Sequence, residues 1–302
     1  MDSNDLNPAY AALLARALPD GSFAVAPDAA SRPDATAWAA LALYAAGRAP
    51  DVVAGARKAL ARVQSPDGRV PILAERPEAA WPTSLALLAW RPDPALAGPV
   101  RSAAAWLAGH PGATWPKEEG GIFGHDPSLK GWSWIDGTHS WVEPTAQAIL
   151  ALSALAEPPA GALAEAGRML LDRQLPDGGW NYGNTRVFRH MLLPIPECTG
   201  HALAALAVLP GGPPRQAVAK SLAYLAGPEC AAATPLAAAW RAFGLGAYGQ
   251  AGPEVLGNLR LALARQDRYG PYDTPLLAQL LAAAASGGRF EALWGGGTHE
   301  AA

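Results

Sequence analysis

Glu143-Pro144-Thr145-Ala146-Gln147-Ala148-Ile149-Leu150-Ala151-Leu152 opens on an acid, a proline and a threonine, then runs apolar on nearly every side. A surface helix carries a polar stripe, so a segment without one reads as a helix buried all round. The same pattern recurs at Thr36, Thr83, Thr199, Thr234 and Thr274, each opening an alanine- and leucine-rich run. Asp34, Glu143, Glu197 and Asp273 stand just before four of these threonines. Oxygen side chains cap orphan N–H groups and proline suits a first turn, so these are helix starts.

A second kind of helix precedes each buried one. The segments Leu6–Ala17, Asp51–Gln64, Ala95–Ala108, Pro159–Gln174, Pro214–Ala226 and Pro253–Gln266 are amphipathic, with arginines and lysines such as Arg57, Lys58, Arg62 and Arg168 on one face. A polar face marks an outer, solvated position. Little alternation of period two competes with this reading. Outer then inner, repeated six times, predicts an all-α fold, a single-domain α6/α6 toroid over residues 1–285 with a C-terminal tail at 286–302. An open solenoid of six hairpins is the alternative.

The turns between outer and inner helices repeat as well. Gln174-Leu-Pro-Asp-Gly178-Gly-Trp180 is matched by Gln266-Asp-Arg-Tyr-Gly270-Pro-Tyr272, and in part by Gln64-Ser-Pro-Asp-Gly68 and Pro19-Asp20-Gly21-Ser-Phe23. Asp-Gly supplies a positive φ, glutamine offers an amide near the helix end, and the aromatic packs on the next hairpin. With its leading leucine, Leu170-x3-Gln174-x3-Gly178-x-Trp180 resembles the QW repeat of the prenyltransferase and squalene-oxidase repeat superfamily. That group includes squalene–hopene cyclases, class II diterpene cyclases and the β subunits of protein prenyltransferases. Ser140-Trp-Val-Glu-Pro-Thr-Ala146 and Gly178-Gly-Trp-Asn-Tyr-Gly-Asn184 are similar to segments of its bacterial members. The resemblance runs over roughly residues 6–285 and implies a toroid around a central, often apolar cavity.

The motifs of the family's reactions do not follow. No Asp-x-Asp occurs, so the Asp-x-Asp-Asp acid of class II cyclases is missing, and no Asp-Asp supplies a diphosphate–magnesium motif. Glu197-Cys198 with His201 lacks the spacing of the prenyltransferase zinc ligands. No metal and no cofactor is expected.

The 302 residues are 50% hydrophobic and 16% charged, with a formal net charge of −3. That fills a core and gives no basic footprint for nucleic acid. Two cysteines make no disulfide framework, the N-terminus lacks the order of a signal peptide, and no apolar run reaches the ~18 to 20 residues of a transmembrane segment. The cytoplasm is the expected location. A homo-oligomer or a partner protein is left open.

Parallel inner helices would direct six positive N-termini, and the acids beside them, to one mouth. The long insert from Trp115 to Trp141 adds Trp132, Trp134, His125, Asp126, Asp136 and His139. Long ordered loops in compact domains often carry function. Asp136, His139, Glu143 and Glu197 are the expected catalytic groups, a carboxyl of raised pKa serving as proton donor. Trp134, Trp141, Trp180 and Tyr182 are the expected aromatic contacts for substrate. Arg186 and Arg189 offer cations to an anionic group. Each has a plainer alternative in capping, packing or solvated loop. Cys198 reads better as a small buried hydrophobe than as a nucleophile. Trp38, Trp90 and Trp240 either line a cavity or fill the core.

Three function classes follow: an isoprenoid-binding, terpene-cyclase-like protein with a small hydrophobic, isoprenoid-like ligand as its partner; a carbohydrate-active toroid enzyme with paired acids and tryptophan platforms; and a non-catalytic scaffold. An apolar, aromatic cavity favours the first, facing carboxylates with exposed tryptophans the second, and a filled barrel the third.

Overall fold

The computed structural model describes residues 6–117, 124–231 and 234–295. In chain order the helices are α1 (Asn7–Leu14), α2 (Pro33–Ala45), α3 (Pro50–Val63), α4 (Pro82–Trp90), α5 (Ala97–Gly109), α6 (Val142–Ser153), α7 (Ala160–Asp172), α8 (Pro196–Ala207), α9 (Arg215–Ala226), α10 (Pro228–Ala231), α11 (Pro235–Gly246), α12 (Pro253–Ala264), α13 (Gln266–Tyr269) and α14 (Thr274–Ala285). The one strand pair among the described residues is a small hairpin, β1 (Arg186–Val187) with β2 (His190–Met191).

Helices α2, α4, α6, α8, α11 and α14 form the inner ring, each packed on the next, and α14 packs back on α2. The seam is closed by hydrogen bonds as well. Thr274 donates its amide to the Val25 carbonyl at 2.7 Å and its hydroxyl to the Ala24 carbonyl at 2.5 Å. Arg16 Nη1 donates to the same threonine oxygen at 3.1 Å. Contacts between the first and last hairpins decide for the closed toroid over the open solenoid. Helices α1, α3, α5, α7, α9 and α12 lie outside this ring.

The threonines are clamps more often than caps. Only Thr234 caps its helix, accepting from the Ala237 amide. Thr36, Thr83, Thr145 and Thr199 each accept an N–H from the chain that has just left the turn: Phe23 at 3.0 Å, Val70 at 2.9 Å, Trp132 at 2.9 Å and Trp180 at 3.0 Å. Each also donates to a carbonyl, as Thr199 does to Ile195 and Thr83 to Ala80. A hydroxyl does both at once, which a buried site between two backbones requires.

The turn between α7 and α8 ties neighbouring hairpins. Gln174 Nε2 donates to the Ala217 carbonyl at 2.7 Å and the Ser221 hydroxyl at 2.9 Å, both on α9. Gln64 does the equivalent to the Pro99 carbonyl on α5. Gly178 has φ +96, and a Cβ there would stand 2.7 Å from the Lys220 backbone. Trp180 is fully buried, with its indole N–H on the Leu170 carbonyl at 2.6 Å.

Below their first turns the inner helices are buried almost throughout. Trp38, Trp240, Phe243 and Phe290 fill the interior, with ring centroids 4.9 to 6.2 Å apart. Phe290 comes from a 3-10 turn, Phe290–Trp294, that packs against α2 and α4. The described part of the segment read as a tail is therefore built into the ring.

Candidate functional site

Two of the four acids that precede the threonines are structural. Asp34 is buried and holds Arg32 through two contacts of 2.6 and 2.7 Å. Asp273 caps α14, accepting from the Leu276 amide at 2.9 Å. The other two, Glu143 and Glu197, stand in the first turns of the neighbouring inner helices α6 and α8, near enough for the charge of Glu197 to act on Glu143.

Glu143 keeps 21% of its side chain open while protein surrounds the rest. Desolvation, reinforced by the nearby Glu197, pushes its carboxyl up to about 8. It stands protonated at neutral pH, although a helix N-terminus by itself favours the charged form. Gln147, one turn along α6, donates to Glu143 Oε1 at 3.3 Å. His201 Nε2 faces the same oxygen at 3.6 Å. The histidine is buried, and burial holds it down at about 3, so it is neutral. Its Nδ1 lies 2.9 Å from the Glu197 carbonyl. A carbonyl only accepts, so Nδ1 carries the hydrogen and Nε2 turns a bare lone pair toward Glu143. Trp240 stacks on the imidazole with centroids 3.3 Å apart and fixes its plane.

Tyr182 completes the group. Its carbonyl accepts from the Val142 amide at 2.9 Å, and its half-exposed phenol is raised by desolvation, then by Cys198, Glu197 and Glu143. Cys198 is fully buried, and desolvation drives its thiol far up, which makes it a small hydrophobe rather than a nucleophile.

The remaining expected residues lie elsewhere. His139 sits against Trp115, His125 and Trp141, with centroids 5.4 to 5.8 Å apart, and desolvation followed by Arg173 holds it down at about 4. Arg173, with no exposed side-chain surface, joins the two inserts by donating to the Ser140 and Gly183 carbonyls at 3.3 and 3.0 Å. Asp136 is exposed; with Trp134 it lines a small recess beside Glu78, Trp81 and Pro144, whose lining does not include Glu143. Trp141 precedes α6, half-buried on the His139 side. Trp180 lies in the wall and offers no exposed face to a ligand. Arg186 and Arg189 are exposed on the hairpin.

His201 and Gln147 stood out less in the sequence than they do here. The signal was one helical turn: Glu143 to Gln147 and Glu197 to His201 are both i, i+4 pairs. Among the described residues no three His, Cys, Asp or Glu side chains gather as a metal site.

The ring of six inner helices has counterparts among solved structures. A variant of the type II terpene cyclase MstE from Scytonema, in complex with its substrate geranylgeranyl dihydroxybenzoate, superposes with a TM-score of 0.66 at 17% identity, covering 95% of this chain and 97% of that one. The fold is that of the terpene cyclase toroids. A protein from Actinoplanes matches with a TM-score of 0.58 at 17% identity, over 95% of this chain and 99% of the other. The ent-copalyl diphosphate synthase from Streptomyces platensis matches at 0.54 and 19% identity, over 87% of this chain and 50% of that longer one. No protein-family model matches the chain, and no curated protein sequence does. No helix among the described residues is long and apolar enough to cross a membrane.

Proposed function

We propose that the protein receives an isoprenoid-like lipid at the mouth of the toroid and protonates it from Glu143, a terpene-cyclase-like reaction without an Asp-x-Asp-Asp acid. The observation that carries this reading is the Glu143 carboxyl, largely enclosed by protein in the first turn of an inner helix, a setting that raises it to about 8. Its proton passes to an alkene carbon or an epoxide oxygen, leaving a carboxylate and a carbocation. Gln147 donates to one carboxyl oxygen, so the proton donor is oriented before substrate arrives. The half-exposed Tyr182 ring offers a π face beside the developing cation. The toroid it shares with the Scytonema cyclase supports the substrate class, since that protein binds a geranylgeranyl compound.

Incubation with prenyl diphosphates, geranylgeranyl aromatics and squalene-type hydrocarbons, followed by mass spectrometry, tests the proposal. Turnover is expected in the native chain and not in Glu143→Gln. Turnover that survives the substitution removes Glu143 as donor, and no binding of any isoprenoid ends the reading. The packed interior of Trp38, Trp240, Phe243 and Phe290 favours a second reading, a scaffold without catalysis. That reading expects no turnover and no retained lipid in the same assay.

A further inference from the structure

The connection from Trp180 to α8 rises from the mouth, returns to it, and carries a hairpin that the packing of the fold leaves unexplained. Strands β1 and β2 pair Arg186 with Met191 and Val187 with His190, so Phe188 and Arg189 alone form the turn. Both have positive φ, 47° and 66°. Such a two-residue turn is ordinarily filled by Asn-Gly, because side chains with a Cβ are strained there. Phe188 is strained and also 93% exposed, so no packing within the chain compensates it. Leu193, on the returning leg, is 81% exposed. An observed backbone outlier on an exposed apolar side chain points to a function at that residue.

Charge narrows the partner. From Asn181 to Pro196 the chain carries Arg186 and Arg189 and no acid, in a protein of formal net charge −3. The arginines flank the phenylalanine at the tip. Leu73, Trp115, Ile135 and Tyr182, each 44 to 50% exposed, also lie on connections that lead from an outer to an inner helix, as this one does. An apolar tip between cations matches an anionic bilayer, where the ring enters the acyl boundary and the guanidiniums meet headgroups.

We propose that the Phe188 hairpin docks the mouth of the toroid onto an anionic lipid surface. Docking there would set the mouth beside the phase in which an isoprenoid dissolves. The proposal does not depend on the chemistry of Glu143.

Co-sedimentation of the full chain with vesicles tests it. We use phosphatidylcholine alone, and phosphatidylcholine with about a third replaced by phosphatidylglycerol, at several salt concentrations. Binding is expected to the anionic vesicles and not to the neutral ones, weakening as salt rises. Phe188→Ser with Leu193→Ser, and separately Arg186→Glu with Arg189→Glu, should each weaken binding about tenfold or more. Unchanged melting curves for both pairs keep folding out of the result. No binding to either vesicle overturns the proposal, as does binding that both pairs leave intact. A dimer in solution that Phe188→Ser turns into a monomer overturns it in favour of self-association.

Discussion

Glu143 and His201 are held neutral by the same burial, and their effects on stability run in opposite directions with pH. Glu143 has an ordinary value of 4.5 raised to about 8 in the fold. The folded state then holds a proton that the unfolded state has lost, so stability is full below 4.5 and falls as pH rises toward 8. His201 has an ordinary value of 6.5 lowered to about 3. Its contribution is full above 6.5 and is lost as pH falls toward 3. Each slope is at most about 1.4 kcal/mol per pH unit, and Glu143 falls short of that because its side chain is partly open. Denaturation across pH should place the two groups' combined optimum between the two ordinary values. Glu143→Gln should remove the alkaline arm and be more stable than the native chain at pH 9. A variant that keeps the native pH profile would mean that Glu143 titrates normally. Turnover, where measured, should fall above about pH 8 as the donor loses its proton.

Helices and turns were the most legible level, because buried helices and tight turns leave marks that depend on near neighbours in sequence. The Gln174–Gly178–Trp180 turn was readable as a repeat with its aromatic against the next hairpin. The side chain that hydrogen-bonds to α9 is instead Gln174, while the Trp180 indole bonds to Leu170 of its own outer helix. The threonines were readable as helix starts but not as clamps, since a cap and a clamp use the same hydroxyl and differ only in what arrives from outside. The site was half legible: Glu143 and Glu197 announced themselves beside helix starts, whereas the His201 contact crosses from α8 to α6. Two substitutions test the element-level account. Trp180→Ala should cost about 3 to 5 kcal/mol by denaturant titration, the range for truncating a buried aromatic. Gly178→Ala should cost clearly more than Gly211→Ala. Both glycines have positive φ, but a Cβ at Gly178 meets the Lys220 backbone, while nothing lies within 4 Å of one at Gly211. Equal costs would show that the turn does not bear on α9.

The closure of the whole ring was not written in any local pattern. It rests on residues at the two ends of the chain, Arg16 and Val25 on one side and Thr274 on the other, and on Phe290 arriving after the last repeat. An open repeat array unfolds from its ends, because each unit touches only its neighbours. A closed ring has no such ends, and Phe290 meets Trp38 from the first hairpin and Trp240 and Phe243 from the fifth. Removing that side chain should therefore weaken the molecule globally rather than fray its last hairpin. Phe290→Ala is expected to cost about 3 to 5 kcal/mol. The unfolding transition should stay single, and hydrogen exchange should accelerate in α2 and α11 as well as in α14. Faster exchange confined to α14, with α2 unaffected, would show that the last hairpin opens alone and that the plug does not couple the two ends of the chain.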